Sequence, residues 1–523
     1  MLDVAWWRRG VVYQIYPRSF QDSDGDGIGD LEGVRRRLDH LVALGVDAVW
    51  LSPIFPSPMA DFGYDVADYC GVDAIFGSID DFDRLLDDAH GRGLKVILDF
   101  VPNHSSEAHP WFVESRRDRS DPRRDWYIWR DAAPGGGPPN NWISNFGGPA
   151  WTFDETTGQY YLHSFLREQP DLNWRNPELR AAMADVLRFW LDRGVDGFRI
   201  DVLWLLIKDE ELRDNPENPD YAQGDPDIGR LLQTYSSDRE EVFDVIRELR
   251  ATVDDYDDRV LIGEIYLPVD RLVAYYGPDL SGVHLPFNFQ LIFADWHARA
   301  IERRIAEYEA ALPPGGWPNW VLGNHDQKRV ATRLGGPQAR VAAMLLLTLR
   351  GTPTLYYGDE IGLADVPVPH DLAQDPWEKN EPGHGRDPAR TPMPWDATTN
   401  GGFTAGAPWL PMNDVGALNV AAAARDPRSI LALHRALLAL RRGSPALSLG
   451  AYEGVKAQGD VLAYRRRHGE EELLVALNLG DEGAELALPI AATALLSTHM
   501  DREGAEQPGV LKLRPNEGVV LRL

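Results

Sequence analysis

The chain has 523 residues, 44% hydrophobic and 26% charged, which is enough for a barrel-sized domain plus a smaller one and excludes a disordered or low-complexity protein. Its formal charge of −28, with no basic stripe to reverse it locally, excludes a nucleic-acid or anionic-membrane partner; a neutral substrate fits better. The opening residues, Met1 to Arg9, hold no apolar run or small-residue cleavage site, no later run approaches a membrane span, and the lone Cys70 cannot form an internal disulfide, so a cytoplasmic protein is expected.

In chain order, strand-like apolar runs occur at Val11 to Tyr16, Ala48 to Leu51, Lys95 to Val101, Gly197 to Asp201, Val260 to Glu264, Leu285 to Phe289, Trp320 to Gly323 and Thr354 to Tyr357. Helical patterns lie between them at Leu31 to Leu44, Ile79 to Arg92, Glu178 to Arg193, Asp238 to Asp254 and Gly335 to Leu349. A βα alternation carried eight times predicts an α/β fold, a closed parallel (β/α)8 barrel. Two intervals exceed plain loops: residues 104–172, rich in Trp, Pro and Gly, and residues 362–426. The expected division is a barrel over 1–103 and 173–444, an inserted subdomain over 104–172, and an antiparallel β domain over 445–523. That last domain is read from strand-like runs at Val461 to Arg466, Leu473 to Asn478, Ala484 to Leu488, Gly509 to Leu513 and Gly518 to Leu523.

The fourth strand carries the most informative stretch. Asn176-Pro177 opens a helix with Leu179, Met183, Val186, Leu187, Trp190 and Leu191 on one face, and Gly194 suits its end. The strand that follows ends in Arg199-Ile200-Asp201, and alternation points both charged side chains the same way. In a βα barrel the reacting groups sit at the C-terminal strand ends, and here those ends are polarised. Strand two runs into Asp61-Phe62-Gly63-Tyr64, strand three into Asp99 and His104, strand five into Glu264, and strand seven into Asn324-His325-Asp326. A lone R-x-D is more often a structural ion pair, but gathering Asp201, Glu264 and Asp326 at one mouth costs folding energy through repulsion and calls for a chemical reason.

Two carboxylates, one ionised and one protonated, are what cleavage of a glycosidic bond requires. Arg199 beside Asp201 is expected to keep it charged. Glu264, after an apolar run and facing two acids, is expected to have a raised pKa and to act as acid/base. Asp326 is left to stabilise positive charge on the sugar ring. His104 and His325 are donors to sugar hydroxyls and belong to no metal-binding spacing.

At these residues the chain resembles the α-amylase superfamily of glycoside hydrolases over nearly its whole length, in particular its α-glucosidase and oligo-1,6-glucosidase branch. The residues that carry the resemblance are Asp99-Phe100-Val101-Pro102-Asn103-His104, Gly197-Phe198-Arg199-Ile200-Asp201, Gly263-Glu264 and Asn324-His325-Asp326, in the family's order, with Gln169-Pro170-Asp171-Leu172-Asn173 similar to the branch's marker. The resemblance implies a retaining mechanism with Asp201 as nucleophile, Glu264 as acid/base and Asp326 as transition-state stabiliser. It also implies a pocket closed over the terminal glucose by Asp61, Tyr64 and Arg386, hence exo action. The expected substrate-binding set is Asp61, Tyr64, His104, Phe146, Phe165, Arg199, Val202, His325 and Arg386. In the family, valine at the position of Val202 goes with α-1,6 cleavage, whereas Trp204-Leu205 replaces the Lys-His pair common in α-amylases and favours small substrates. A glucosyl-transferring or isomerising relative, such as a trehalose synthase, is the enzymatic alternative. A non-catalytic scaffold is the alternative of another class.

The stretch Asp22-Ser23-Asp24-Gly25-Asp26-Gly27-Ile28-Gly29-Asp30 brings alternate carboxylates around a glycine turn, as in a calcium loop. No cofactor is expected for the chemistry, but one structural Ca²⁺ or Mg²⁺ is, held by Asp22, Asp24, Asp26, Asp30 and the Ile28 carbonyl; relatives in the family bind such an ion here. Gly33 stands where an EF-hand has its bidentate glutamate. A plain Asp/Gly turn is the alternative. A dinucleotide loop is disfavoured because four aspartates would repel a pyrophosphate.

Overall fold

The computed structural model describes residues 4–523. Eight parallel strands close into a barrel: β1 (Val12–Ile15), β2 (Ala48–Leu51), β3 (Lys95–Phe100), β4 (Gly197–Ile200), β5 (Val260–Gly263), β6 (Leu285–Asn288), β7 (Asn319–Val321) and β8 (Thr352–Tyr356). Each pairs with its sequence neighbours, and β8 closes on β1 with Val12 opposite Thr354. All eight coincide with the predicted runs to within a residue or two. They were legible because a barrel strand is buried on both faces and reads as a continuous Val/Ile/Leu run.

Alternation sorts the side chains. Val12, Ala48, Trp50, Ile97, Val260, Ile262, Leu285 and Phe287 fill the barrel interior. Tyr13, Val49, Val96, Leu98, Phe198, Ile200 and Leu261 face the surrounding helices. Arg199 and Asp201 are therefore on the inward face, in step with Ile262 and Glu264 across the β4–β5 pairing.

The helix before β4 spans Pro177–Asp192, with the Asn176 side chain accepting from the amides of Glu178 and Leu179 and all six predicted apolar residues buried. Each contributes about 1.5–3 kcal/mol of transfer free energy before conformational entropy is subtracted. Gly194 follows with φ 100°, and at Gly197 a Cβ would lie 2.3 Å from the Val260 carbonyl oxygen, so only glycine lets β4 approach β5 this closely.

The single helix predicted over Leu31 to Leu44 is two, Leu31–Arg36 and Leu38–Leu44, broken at Arg37, where no Gly or Pro signalled the break. The helix predicted from Asp238 begins at Val242, and that predicted from Gly335 begins at Val330 with a kink at Gly335. The first insertion carries a three-stranded antiparallel sheet of Trp129–Arg130, Trp151–Asp154 and Gln159–Leu162. The second has no strand and folds back onto the start of the barrel, the Met393 amide donating to the Ser19 carbonyl. A third excursion, residues 203–241 between β4 and the helix Val242–Asp254, holds only short 3-10 turns. The C-terminal domain is a six-stranded antiparallel sheet with a separate strand pair. No helix among the described residues is long and apolar enough to cross a membrane.

Candidate active site

At the C-terminal mouth of the barrel, β3, β4 and β5 deliver three carboxylates to one guanidinium. Arg199 Nη1 donates to Asp99 Oδ1 at 2.8 Å and to Asp201 Oδ1 at 2.7 Å, while Nη2 lies 2.7 Å from Glu264 Oε2. The guanidinium carbon rests 4.9 Å from the Trp50 ring centre, and Asp99 is also held by Trp50 Nε1 at 3.2 Å and the Tyr64 hydroxyl at 3.0 Å. Arg199 therefore sits behind the cavity and organises its acids.

A second cationic pair meets Asp326 from the opposite side. Arg386 Nη1 and Arg390 Nη2 reach Asp326 Oδ1 at 3.2 and 3.0 Å. Arg386 also donates to Asp61 Oδ1 at 2.8 Å and grips Asp375 through Nε at 2.9 Å and Nη2 at 2.8 Å. The marker segment at the end of the first insertion completes this floor. Gln169 Nε2 donates to Asp61 Oδ2 at 3.2 Å and meets His104 Nε2 at 3.2 Å, and Asp171 pairs with the buried Lys208 at 2.7 Å. Tyr64 stacks on His325, ring centres 5.3 Å apart at 5°, and Gln14 Nε2 meets His325 Nδ1 at 2.8 Å.

Burial sets the proton affinities. Asp326, beside His325, Arg386 and Arg390, is held well below the usual carboxylate range by their charges against the effect of desolvation, so it stays ionised. Glu264 is pushed up to about 7 by burial and by Asp326, with Arg199 opposing. Arg199 lies beside Asp201 as expected, yet burial pushes the Asp201 carboxyl above its ordinary value against that charge, with Glu264 and Asp99 adding to the rise. One guanidinium is divided among three acids, so the titrations of Asp201 and Glu264 are linked. Burial raises Asp61 to about 6 against the Arg386 charge, and lowers His104 to about 4.

These groups line a cavity of about 840 Å³. All three acids, Asp201, Glu264 and Asp326, border it, as do Asp61, Tyr64, His104, Phe146, Phe165, Val202, His325 and Arg386; of the expected set only Arg199 does not. Phe146 lies over Arg386 with 4.7 Å from the guanidinium carbon to the ring centre. The sequence reading missed Asn145, Trp377 and Tyr266, and the stretch Ile228 to Asp238, which contributes Leu232, Gln233 and Thr234 to the rim. The rim stretch had one available signal: the interval after β4 exceeds any plain loop. Trp204 lines the mouth edge-to-face with Tyr266, ring centres 5.6 Å apart.

Directly after Asp201 the chain is strained. Val202 has φ 36° and ψ 46°, a left-handed conformation that costs a β-branched residue about 1–3 kcal/mol and persists only where its surroundings impose it. Cys70 plays no part in the site, and burial pushes its thiol up to about 11, making it a poor nucleophile.

In the acidic loop, Asp22, Asp24 and Asp30 each bring an oxygen within 4.8 Å of the others, a spacing that oxygens around one Ca²⁺ adopt. Asp26 is not in this group; its Oδ1 accepts from the Ile28 amide at 2.7 Å. Asp22 accepts from the amides of Asp24, Gly25 and Gly27 and from the Thr404 hydroxyl, and these bonds outweigh burial and hold it below its usual value, ionised.

Residues 14–450 match the family described as "Alpha amylase, catalytic domain". The chain belongs to the alpha-amylase family. Residues 450–520 match a "Domain of unknown function (DUF3459)", the C-terminal sheet domain. Among curated members similar to it, a "Probable alpha-glucosidase" of Rhizobium meliloti (strain 1021) is 42% identical over 95% of this chain and 93% of its own length. An "Oligo-1,6-glucosidase" of Parageobacillus thermoglucosidasius is 37% identical over 100% of both. Of solved structures, the "alpha-glucosyl transfer enzyme, XgtA" superposes with a TM-score of 0.95 at 43% identity, covering 99% of this chain and all 100% of that one. The trehalulose synthase MutB of Pseudomonas mesoacidophila MX-45 gives 0.92 at 35%, covering 99% of each.

Proposed function

We propose that this chain is an exo-acting, retaining α-glucosidase that releases α-glucose from small α-glucosides of the isomaltose and maltose type. The observation that carries the reading is the meeting, in one cavity, of the buried carboxyls Asp201 and Glu264 with an Asp61–Arg386 pair closing the floor. In the productive state Glu264 holds a proton and Asp201 is ionised. Asp201 attacks the anomeric carbon while Glu264 gives its proton to the departing glycosidic oxygen, leaving a glucosyl ester on Asp201. Glu264, now anionic, takes a proton from water, which attacks the same carbon and frees glucose with its configuration retained. Asp326, ionised throughout, stabilises the positive charge that develops on the ring.

Asp61 and Arg386 hold the non-reducing glucose by charged hydrogen bonds, and the aromatic rim of Phe146, Trp204, Tyr266 and Trp377 leaves room for a short leaving group. Relatives named for α-glucosidase and oligo-1,6-glucosidase activity support this class, and MutB has been solved with sucrose, described there as its substrate. Where a sugar outcompetes water for the ester, glucose is transferred instead, a branch supported by the neighbours named for glucosyl transfer and trehalulose synthesis. Val202 tips linkage choice toward α-1,6. A Ca²⁺ or Mg²⁺ held by Asp22, Asp24 and Asp30 contributes to stability and not to the chemistry, and the enzyme works in the cytoplasm. Product analysis on a panel of isomeric glucose disaccharides tests the reading: glucose from isomaltose and maltose supports it, and a panel left intact or only rearranged rejects it.

A further inference from the structure

The strain at Val202 has a partner. Its amide, just past the end of β4, donates to Glu264 Oε2 at 2.9 Å. The same oxygen forms an ion pair with Arg199, 2.7 Å from Nη2. The two chain segments are tied again on either side: the Glu264 amide donates to the Ile200 carbonyl at 2.9 Å, and the Leu203 amide to the Glu264 carbonyl at 3.2 Å. Gly263 brings them this close, since a Cβ there would sit 2.8 Å from Leu203 Cδ2. The left-handed turn is thus clamped against Glu264 at three points.

We propose that the Val202 amide is a positioning group for the acid/base carboxyl, holding Oε2 of Glu264 in the accepting role so that Oε1 carries and delivers the proton. The inference rests on Glu264 being the acid/base. An oxygen that accepts the amide N–H and faces the Arg199 cation cannot bear a hydrogen without setting it against both, so the proton belongs on Oε1. It leaves Oε1 for the glycosidic oxygen as the bond from Asp201 to the anomeric carbon forms and the glycosidic bond breaks, and it returns to Oε1 from the attacking water. The charged and titratable groups facing Glu264 are Arg199 and Asp201 from β4, Asp99 from β3, Asp326 beyond β7, and Tyr266 just downstream. Among them only Arg199 shares the amide's action, because an N–H donated to the carboxylate favours the charged form while burial and the acids oppose it.

The direct test replaces the N–H of residue 202 by an ester oxygen, with valine exchanged for its α-hydroxy analogue. Losing a donor to the carboxylate raises the pKa of Glu264, so the alkaline limb of kcat/KM moves up by about one pH unit, a tenfold change in acid dissociation. Turnover of isomaltose falls roughly tenfold, whereas α-glucosyl fluoride, whose leaving group departs without a proton, changes by about twofold at most. Equal losses on both substrates, or an unmoved alkaline limb, overturn the proposal. Val202→Gly keeps the N–H and accepts positive φ without strain, so its alkaline limb stays in place; a shifted limb in that variant also overturns it. Should the ester protein not fold, ¹⁵N-valine labelling of the unaltered enzyme decides: the Val202 amide resonance follows the alkaline limb and stops titrating in Glu264→Gln, and a resonance silent across that range overturns the proposal. An enzyme inert toward both substrates defeats the α-glucosidase reading instead, and the labelling experiment, which needs no turnover, still reports on the amide.

Discussion

Two clusters of acid residues stand in this molecule, and they are neutralised by different means. At the barrel mouth Asp99, Asp201, Glu264, Asp326, Asp61 and Asp375 are balanced by three buried guanidiniums, Arg199, Arg386 and Arg390. In the Asp22–Asp30 loop the carboxylates are satisfied by backbone amides and a hydroxyl. Fewer cations than acids, most of them out of water, leave the pKa values spread apart, as catalysis by a carboxyl pair needs. Amides fix geometry without supplying net positive charge. On the proposed reading the first cluster serves reactivity and the second, with a bound cation, stability, and each of the following experiments breaks one side while sparing the other.

The largest effects belong to the mouth. Asp201→Asn and Glu264→Gln lower kcat by at least about 100-fold and up to roughly 10⁴-fold, since each removes one half of the double displacement. Both variants keep a near-normal melting temperature because shape and volume are conserved, which calorimetry checks; activity near that of the unaltered enzyme in either would sink the assignment.

Asp61→Ala and Arg386→Ala come next. Each removes a charged hydrogen bond to the terminal sugar, of order 1.5–3 kcal/mol, and so lowers kcat/KM on disaccharides by roughly 10- to 150-fold. Internal degradation of starch by the unaltered enzyme, with viscosity falling before glucose appears, would refute the closed floor.

The pH dependence follows from the same imbalance. Glu264 must carry a proton to act, and its pKa is raised to about 7, so kcat/KM declines as pH rises through that value. On the acid side, protonation of Asp61 below about 6 weakens its pairing with Arg386 and raises KM. A profile flat from about pH 5 to about 8 would contradict both, a range that brackets the values near 6 and 7.

At Val202 the expected change is smaller. Exchanging one methyl for a hydroxyl in a pocket is worth roughly 1–3 kcal/mol, so Val202→Thr moves the isomaltose to maltose ratio of kcat/KM toward maltose by about tenfold. A ratio that stays put assigns linkage to Trp204 or the rim. Smallest in rate is chelation. It lowers the melting temperature by a few degrees, about 1 °C per kcal/mol of lost binding for a chain of this size, and leaves the specific rate at permissive temperature nearly unchanged. A chelated protein of equal stability with no metal on elemental analysis would remove the ion from the loop.

The sequence revealed the barrel more fully than its rim. Strands buried on both faces and helices with one apolar face carry their pattern in composition, which is why β1 to β8 and the Pro177–Asp192 helix were legible. The C-terminal strand Ala451–Gln458 was not, being an exposed edge with little apolar alternation. The reacting acids were readable from where strands end. The sharing of Arg199 among three of them was not, because Asp99, Asp201 and Glu264 lie far apart in the chain and only barrel closure brings them to one guanidinium. The rim residues from Ile228 to Asp238 have no local pattern to read, since irregular backbone takes its conformation from what it packs against. The left-handed Val202 was equally invisible, as valine is a residue no turn rule would place there.

The most direct measurement is NMR observation of the first glucose released from isomaltose, before mutarotation. A retaining, exo-acting Asp201–Glu264 pair gives α-glucose from the non-reducing end. β-Glucose as the first product would mean inversion by an activated water, and would contradict a glucosyl ester on Asp201.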